Sequence, residues 1–252
     1  VKAIVFRVDS PGGSPVASDQ VWHAVEMVQE MDKPVIVSMG SVAASGGYYV
    51  SAGADWIMAS RSTITGSIGI FGGKLALADG LRQIGINTEE ITVGGPFAGA
   101  MTTIDSFTEQ QREMLHAWLE RGYNRFVGLV AEGRGMTFDE VNEVARGRVW
   151  SGEDALDVGL VDQLGGLMDA IDKARDLAGI EADQQTRYIF YPKPQGGIPG
   201  FGPMAEASAE DLGAISRAAA ILEDERIQAL IERGSMLQGS PVQARGPLLI
   251  EK

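Results

Sequence analysis

The chain contains no cysteine, which excludes a disulfide framework, a thiol nucleophile and a thiolate metal site. It also lacks any run of about 20 apolar residues, the length that crosses a bilayer. Its first residues lack the basic-then-apolar pattern of a signal peptide. Basic residues are few, with 21 Lys and Arg against 34 Asp and Glu, a net charge of −13. This acidic excess, with no basic cluster to offset it, argues against nucleic acid as a partner.

Apolar material is plentiful, at 44% of 252 residues, enough for a substantial core. Runs typical of strands alternate with segments of helical spacing. The predicted strands are Val1–Val8, 35–38, Trp56–Ala59 and Glu90–Val93, and the predicted helices span 17–30 and about 75–84. This alternation favours an α/β fold with a mostly parallel sheet covered by helices.

Capping boxes mark helices in the second half of the chain. Thr108 with Gln111 predicts the start of a long helix that reaches about residue 130, and Thr137 with Glu140 predicts another. A third, shorter helix is predicted over about 151–158.

From residue 188 the composition shifts to proline and glycine, as in a linker, ahead of predicted helices near 208–222 and 224–233. We therefore divide the chain into a domain over 1–180, incomplete at its N-terminus, and a C-terminal extension over 181–252.

A turn rich in small residues, Gly40–Tyr49, follows the second predicted strand and carries the hydroxyl of Ser45 among residues too small to cover it. A strand-turn-helix path would place this hydroxyl beside the free N–H groups of the helix, where negative charge is favoured. Such a position suits a nucleophile. The alternative is that the small residues only let a helix pack closely on the sheet.

A second turn, Asp9–Ser14, follows the first predicted strand and contains Pro-Gly-Gly. Glycines let the backbone approach a ligand, and their free amides can form a concave site for an oxyanion. Taken alone, Pro-Gly-Gly is also an ordinary turn.

In their order along the chain these motifs resemble the signal peptide peptidase A family, also called protease IV. The resemblance covers about residues 1–178. Besides the two turns it includes Thr65–Gly72, Arg121–Phe126, Gly147–Gly152 and Gly159–Gly165. It implies a serine peptidase on a crotonase-like fold related to the Clp protease.

The resemblance also implies the roles of four residues. Ser45 would be the nucleophile, the backbone N–H groups of Gly13 and Gly46 would form the oxyanion hole, and Ser67 would orient a general-base lysine. Without the resemblance, Ser67 is typical of a turn serine bonded to local backbone. We assign Asp9, Tyr48 and Tyr49, which flank the turns, to structure. A Ser/Lys dyad needs no cofactor and no metal, and none is expected.

The lysine of this dyad is missing. Family members built from a single half carry it in a segment that corresponds to Thr92–Ile104, which contains no lysine here. Lys74 is interpreted as a solvated residue at the start of a helix, and His23 and His116 as surface or packing residues within helical patterns. In the long tandem members the C-terminal half carries the serine and the N-terminal half the lysine. The chain resembles such a C-terminal half.

The resemblance further implies peptide substrates such as signal-peptide remnants, and partners in a homologous N-terminal half and a homo-oligomer. It places the family in the bacterial inner membrane, facing the periplasm, through an anchor that would lie outside this chain. Since Val1 already lies in a strand-like run, we expect a processed chain or a fragment.

Two alternatives remain open. One is a crotonase-type acyl-CoA enzyme. Against it, the sequence shows no evident catalytic Glu pair and no basic nucleotide pocket, and such an enzyme would give Ser45 no role. The other is a non-catalytic scaffold that has lost its lysine.

Overall fold

The computed structural model describes residues 1–181, 183–191 and 248–251. The strands are β1 (Ala3–Ser10), β2 (Val35–Ala44), β3 (Trp56–Ala59), β4 (Ile64–Gly66), β5 (Val149–Ser151), β6 (Gln163–Leu164), β7 (Arg187–Phe190) and β8 (Leu248–Glu251). The helices are α1 (Pro15–Gln29), α2 (Gly46–Tyr49), α3 (Ala78–Gln83), α4 (Glu109–Arg134), α5 (Phe138–Val144), α6 (Gly152–Asp157) and α7 (Leu167–Leu177). Within these residues, none of the helices is both long and apolar enough to cross a membrane.

The sheet is organised around β2. Its full length runs parallel to β1, but its two halves have different partners on the other side. The first half pairs with β3, with Val37 opposite Ile57, and the second half pairs with β4, with Ala43 opposite Thr65. Because all these strands are parallel, the ends of β2 and β4 meet at one edge of the sheet.

Shorter strands complete the sheet on both sides. β5 lies antiparallel to β4, and β6 lies parallel to β3. On the side of β1, β8 and then β7 add two antiparallel strands. The described part of the C-terminal extension therefore continues the sheet of the first domain.

The core lies between this sheet and the helices. Residues 35–40 of β2 are buried without interruption, as expected for a parallel strand covered on both faces. Helix α4 contributes apolar side chains from its C-terminal half only, namely Phe126, Val127, Leu129 and Val130. The end of α4 is fixed by Arg134, whose guanidinium donates two hydrogen bonds to the carboxylate of Asp162 at 2.5 and 2.9 Å.

The α/β class, the strand at Trp56–Ala59 and both capping boxes are confirmed. The short helix after Ser151 is also confirmed, since α6 begins at Gly152. The long helix α4 continues past its predicted end to Arg134. The helices predicted near 208–222 and 224–233 lie outside the described residues.

Three predictions of local structure are wrong. The strand that we ended at residue 38 continues to Ala44, since small residues fit between the neighbouring strands β1 and β4. The helix predicted after Ser45 does form, as α2, and has four residues. No strand forms at Glu90–Val93, where Ile91 and Val93 are 87% and 92% exposed. The helix predicted from about residue 75 begins at Ala78, so Lys74 precedes it.

Candidate active site

Ser45 lies at a sharp turn between the end of β2 and the start of α2. Its backbone has φ 53° and ψ −118°, a combination that a serine rarely adopts and that costs about 1–3 kcal/mol. Two hydrogen bonds hold it there. The Ser45 N–H donates to the Gly66 carbonyl at 2.9 Å, and the Ser45 carbonyl accepts from the Tyr49 N–H at 2.8 Å. The hydroxyl makes no capping bond to the helix. A strained strand-to-helix turn of this kind exposes a nucleophile.

The Pro-Gly-Gly turn packs directly against this serine. A Cβ atom on Gly12, where φ is 108°, would lie 2.7 Å from both the Gly46 nitrogen and the Ser45 Cβ. A Cβ atom on Gly46 would lie 3.1 Å from the Gly13 nitrogen. Only glycine permits this approach at Gly12. The contact brings the backbone nitrogens of Gly13 and Gly46 into one small region beside Ser45.

Ser67 follows the neighbouring strand at the same edge of the sheet. Ala44 of β2 is paired with Gly66 of β4, so Ser45 and Ser67 each come directly after a member of this pair. Ser67 also has a positive φ, 49°, and its N–H donates to the Arg148 carbonyl at 2.7 Å. Ser45, Gly13 and Gly46 therefore lie together, and Ser67 follows the neighbouring strand without lining the opening beside Ser45.

The arrangement opens into a small cleft. Ser45, Gly13 and Gly46 line it together with an apolar wall. The remaining lining residues are Pro15, Ser18, Tyr49, Gly69, Ile70, Gly122 and Phe126. A wider groove also borders Gly13 and Gly46 and runs along β1 as far as Phe6. Openings next to both amides leave room for an extended ligand.

One wall of the cleft is fixed by contacts that the sequence analysis missed. The Tyr49 hydroxyl donates to Asp19 Oδ1 at 2.5 Å, and the Tyr49 ring lies 4.8 Å from that of Phe126. Arg125 lies 3.5 Å from the same Asp19 oxygen. Burial and then the bond to Asp19 raise the pKa of Tyr49, so the phenol stays neutral. These partners are far apart along the chain, and no local motif indicates their contact.

The other residues that flank the turns make structural contacts, as assigned. Asp9 Oδ1 accepts from the Val42 N–H at 3.1 Å. The hydroxyl of the fully buried Tyr48 donates to the Leu160 carbonyl at 2.8 Å. Neither side chain lines the cleft beside Ser45.

None of the residues lining this cleft is a histidine or a lysine. His23 is exposed on α1, with Nδ1 3.4 Å from Glu26. His116 lies on the exposed N-terminal half of α4 beside Glu113 and Glu120. Lys74 is half-buried rather than solvated, with Nζ 4.6 Å from the centre of the Phe107 ring. The cleft has a hydroxyl and amides but no base of its own in the described chain.

The described residues also contain no group of three or more His, Asp or Glu side chains that could hold a metal ion. Three hydroxyl side chains line the cleft. Ser18 donates to the Ser14 carbonyl and Tyr49 to Asp19. The chemistry available beside the two backbone amides and the apolar wall is therefore that of the Ser45 hydroxyl.

Residues 28–181 match the family described as Peptidase family S49. The chain belongs to this peptidase family. It is 44% identical to Protease 4 of Salmonella typhi over 181 residues, which cover 72% of this chain and 29% of that protein. It is 38% identical to the chloroplastic serine protease SPPA of Arabidopsis thaliana over 199 residues, 79% of this chain and 29% of that protein. The chain thus spans less than a third of the length of these relatives.

Among solved structures, a point mutant of ClpP1 from Listeria monocytogenes matches with a TM-score of 0.44 and 16% identity. The match covers 67% of this chain and 77% of that chain. The family resemblance inferred from the sequence is confirmed by the match to peptidase family S49. The α/β architecture agrees with the crotonase and Clp-protease type of fold that this family resemblance implies.

Proposed function

We propose that the chain is the serine-bearing half of an endopeptidase that uses a Ser/Lys dyad. The observation that carries this proposal is the position of Ser45, held in a strained turn at the end of β2 and packed against the Gly12–Gly13 turn. Strain of this kind persists only where the surrounding structure imposes it, and it is concentrated at functional sites.

In the proposed reaction, Ser45 Oγ attacks the carbonyl carbon of a peptide bond and gives its proton to a base. The carbonyl oxygen becomes an oxyanion, which accepts hydrogen bonds from the N–H groups of Gly13 and Gly46. Removing one such donor commonly costs about 10² to 10³ in rate. The amine then leaves with the proton, and water hydrolyses the acyl-enzyme.

The base is a lysine from another half or subunit. A lysine accepts a proton only when it is neutral, and burial in apolar surroundings lowers its pKa enough for that. The wall formed by Tyr49, Ile70 and Phe126 offers such surroundings once the cleft is covered. Ser67, at the same edge of the sheet, would accept a hydrogen bond from this amine and orient it toward Ser45.

The substrates are extended peptides, such as remnants of signal peptides, that lie along the groove beside Gly13 and Gly46. The groove supports this assignment because it continues along β1 from the two amides. We further propose that the domain faces the periplasmic side of the bacterial inner membrane, held by an anchor outside residues 1–252, and works in a homo-oligomer. Membership of the peptidase family is the support for these two points.

Covalent labelling tests the proposal. A fluorophosphonate probe is added to the chain assembled with the lysine-bearing half, and the labelled residue is identified by mass spectrometry. We expect the label on Ser45 and its loss in Ser45→Ala. Ser41→Ala, which removes an exposed hydroxyl from β2 four residues before Ser45, is the matched control and keeps the label. Labelling that persists in Ser45→Ala would contradict the proposal, and no labelling of any serine would favour the non-catalytic scaffold.

A further inference from the structure

Gly122 is one of three glycines in helix α4, the others being Gly128 and Gly133, and of the three it is the one that lines the cleft. It lies in the middle of a 26-residue helix, where glycine is disfavoured relative to alanine. It also lines the cleft beside Ser45, on the same face of the helix as Phe126 one turn later. A glycine at this place is explained if the cleft needs the space that a side chain would take.

The space is bounded by Ile70. A Cβ atom added at Gly122 would lie 2.7 Å from Ile70 Cδ1, closer than such atoms approach each other. Since Cδ1 is the end of a side chain that can rotate, the fold can accommodate the methyl group by moving it. Ile70 itself lines the cleft. Its displacement would therefore change the shape of the cleft rather than that of the core.

The other apolar residues of the wall, Tyr49 and Phe126, are less free to move than Ile70. Tyr49 is tied through its hydroxyl to Asp19 and packs against Phe126, which is itself 4% exposed. A methyl group at position 122 would thus reduce the space beside Ser45 without compensation from the opposite side.

We propose that Gly122 and Ile70 together set the largest substrate side chain that fits beside Ser45. This side chain belongs to the residue whose carbonyl Ser45 attacks, because the cleft contains Ser45 and both amide donors. The inference rests on the proposed function and deepens it. The contact between Gly122 of α4 and Ile70, which follows β4, would thus determine which substrate residue the enzyme prefers on the N-terminal side of the cleaved bond.

The test uses the active assembly and fluorogenic peptides that differ only in the residue before the cut, which is Ala, Leu or Phe. We expect Gly122→Ala to lower the ratio of kcat/KM for Leu over Ala by about tenfold or more, since one methylene in such a pocket changes selectivity by about 10–200-fold. The effect on the Phe peptide should be larger still.

Gly128→Ala is the matched control. It makes the same change on the same helix, but a Cβ atom there would have no heavy atom within 4 Å. Its selectivity should equal that of the wild type. Ile70→Val removes Cδ1, the atom that the new methyl group would meet. The double variant Gly122→Ala/Ile70→Val should therefore return to within about threefold of the wild-type ratio.

Two outcomes would overturn the inference while leaving the proposed function intact. One is an unchanged ratio in Gly122→Ala, and the other is a reduced ratio that Ile70→Val does not restore. Hydrolysis that survives Ser45→Ala, or a wild-type assembly that cleaves none of the peptides, would instead overturn the proposed function and the inference with it.

Discussion

Residues 35–70 and residues 71–107 differ sharply in how they are held. The first region contains β2, β3 and β4, is buried over most of its length, and fixes Ser45 and Ser67 in strained conformations. The second region contains a single helix of six residues and exposes large apolar side chains such as Phe71, Ile91 and Val93. The proposed nucleophile, Ser45, therefore lies in the buried region, residues 35–70, which we call the rigid region. Thr92–Ile104, the segment in which the family resemblance implies a lysine in single-half members, lies in the exposed region.

This difference has a consequence for the base. A lysine on an exposed segment keeps its hydration and stays protonated at neutral pH, since its ordinary pKa is about 10.4. Burial is what lowers the pKa of an amine. The second region could hold a neutral lysine only if a partner covered it. The absence of lysine from Thr92–Ile104 and the exposure of this segment thus support the same account, in which the amine comes from elsewhere.

The largest expected effect concerns the rigid region and its nucleophile. Ser45→Ala should reduce peptide hydrolysis by the active assembly by about 10⁴-fold or more, because loss of an activated nucleophile removes the covalent pathway. Thermal unfolding should change little, since alanine fits among residues that are already small. Activity within about tenfold of the wild type would remove Ser45 from the nucleophile role.

A matched pair of substitutions tests the packing of the two regions. Ile57→Ala, at a fully buried position of β3, should lower the free energy of unfolding by about 2–5 kcal/mol. Ile91→Ala, at a position 87% exposed, should change it by less than about 0.5 kcal/mol. Denaturant unfolding of the chain measures both. Similar losses at the two positions would show that the second region is packed as tightly as the first.

Sequence reasoning succeeded where the signal is local. The capping boxes at Thr108 and Thr137 fixed the starts of two helices, because the cap and its partner are three residues apart. The motifs around Ser45 and Ser67 indicated a common site, and the pairing of β2 with β4 explains how they meet.

The sequence did not predict local structure correctly where that structure depends on residues distant along the chain. Residues 40–44 have weak strand propensity, yet they extend β2 because strands from elsewhere in the chain flank them. Glu90–Val93 has the composition of a strand but finds no sheet edge in the described structure. The contacts of Asp19 with Tyr49 and of Gly122 with Ile70 join residues 30 or more positions apart, which no local pattern reveals.

A smaller effect is expected at Ser67, which tunes the base in our account. Ser67→Ala should lower kcat/KM by about 10- to 100-fold and shift the pH-rate profile, because the amine loses a hydrogen-bond partner. Fluorophosphonate labelling of Ser45 should persist. An unchanged rate and profile would return Ser67 to the role of a turn residue.

The smallest effect concerns the anchoring of the rigid region by Tyr48. Burial raises the pKa of this phenol, Arg134 opposes the shift and Asp162 adds to it. Since the pKa is higher in the folded than in the unfolded state, the stabilisation is complete below about pH 10 and is lost as the pH rises above it. Tyr48→Phe should therefore flatten the decline in the free energy of unfolding between about pH 9 and 11. At about pH 8 it should cost about 1 kcal/mol through the lost bond to Leu160. If the free energy of unfolding fell equally steeply with rising pH in the wild type and in Tyr48→Phe, this assignment would be contradicted.

The central claim is that the rigid region supplies the nucleophile and that another polypeptide segment supplies its base. The most direct measurement is peptide hydrolysis by residues 1–252 alone, and then after addition of the lysine-bearing half. The account predicts no hydrolysis above background by the chain alone, and activity after addition that disappears when the lysine of the added half is replaced by methionine. Full activity of residues 1–252 alone would contradict it and would make Lys74, His23 and His116 candidates for the base again.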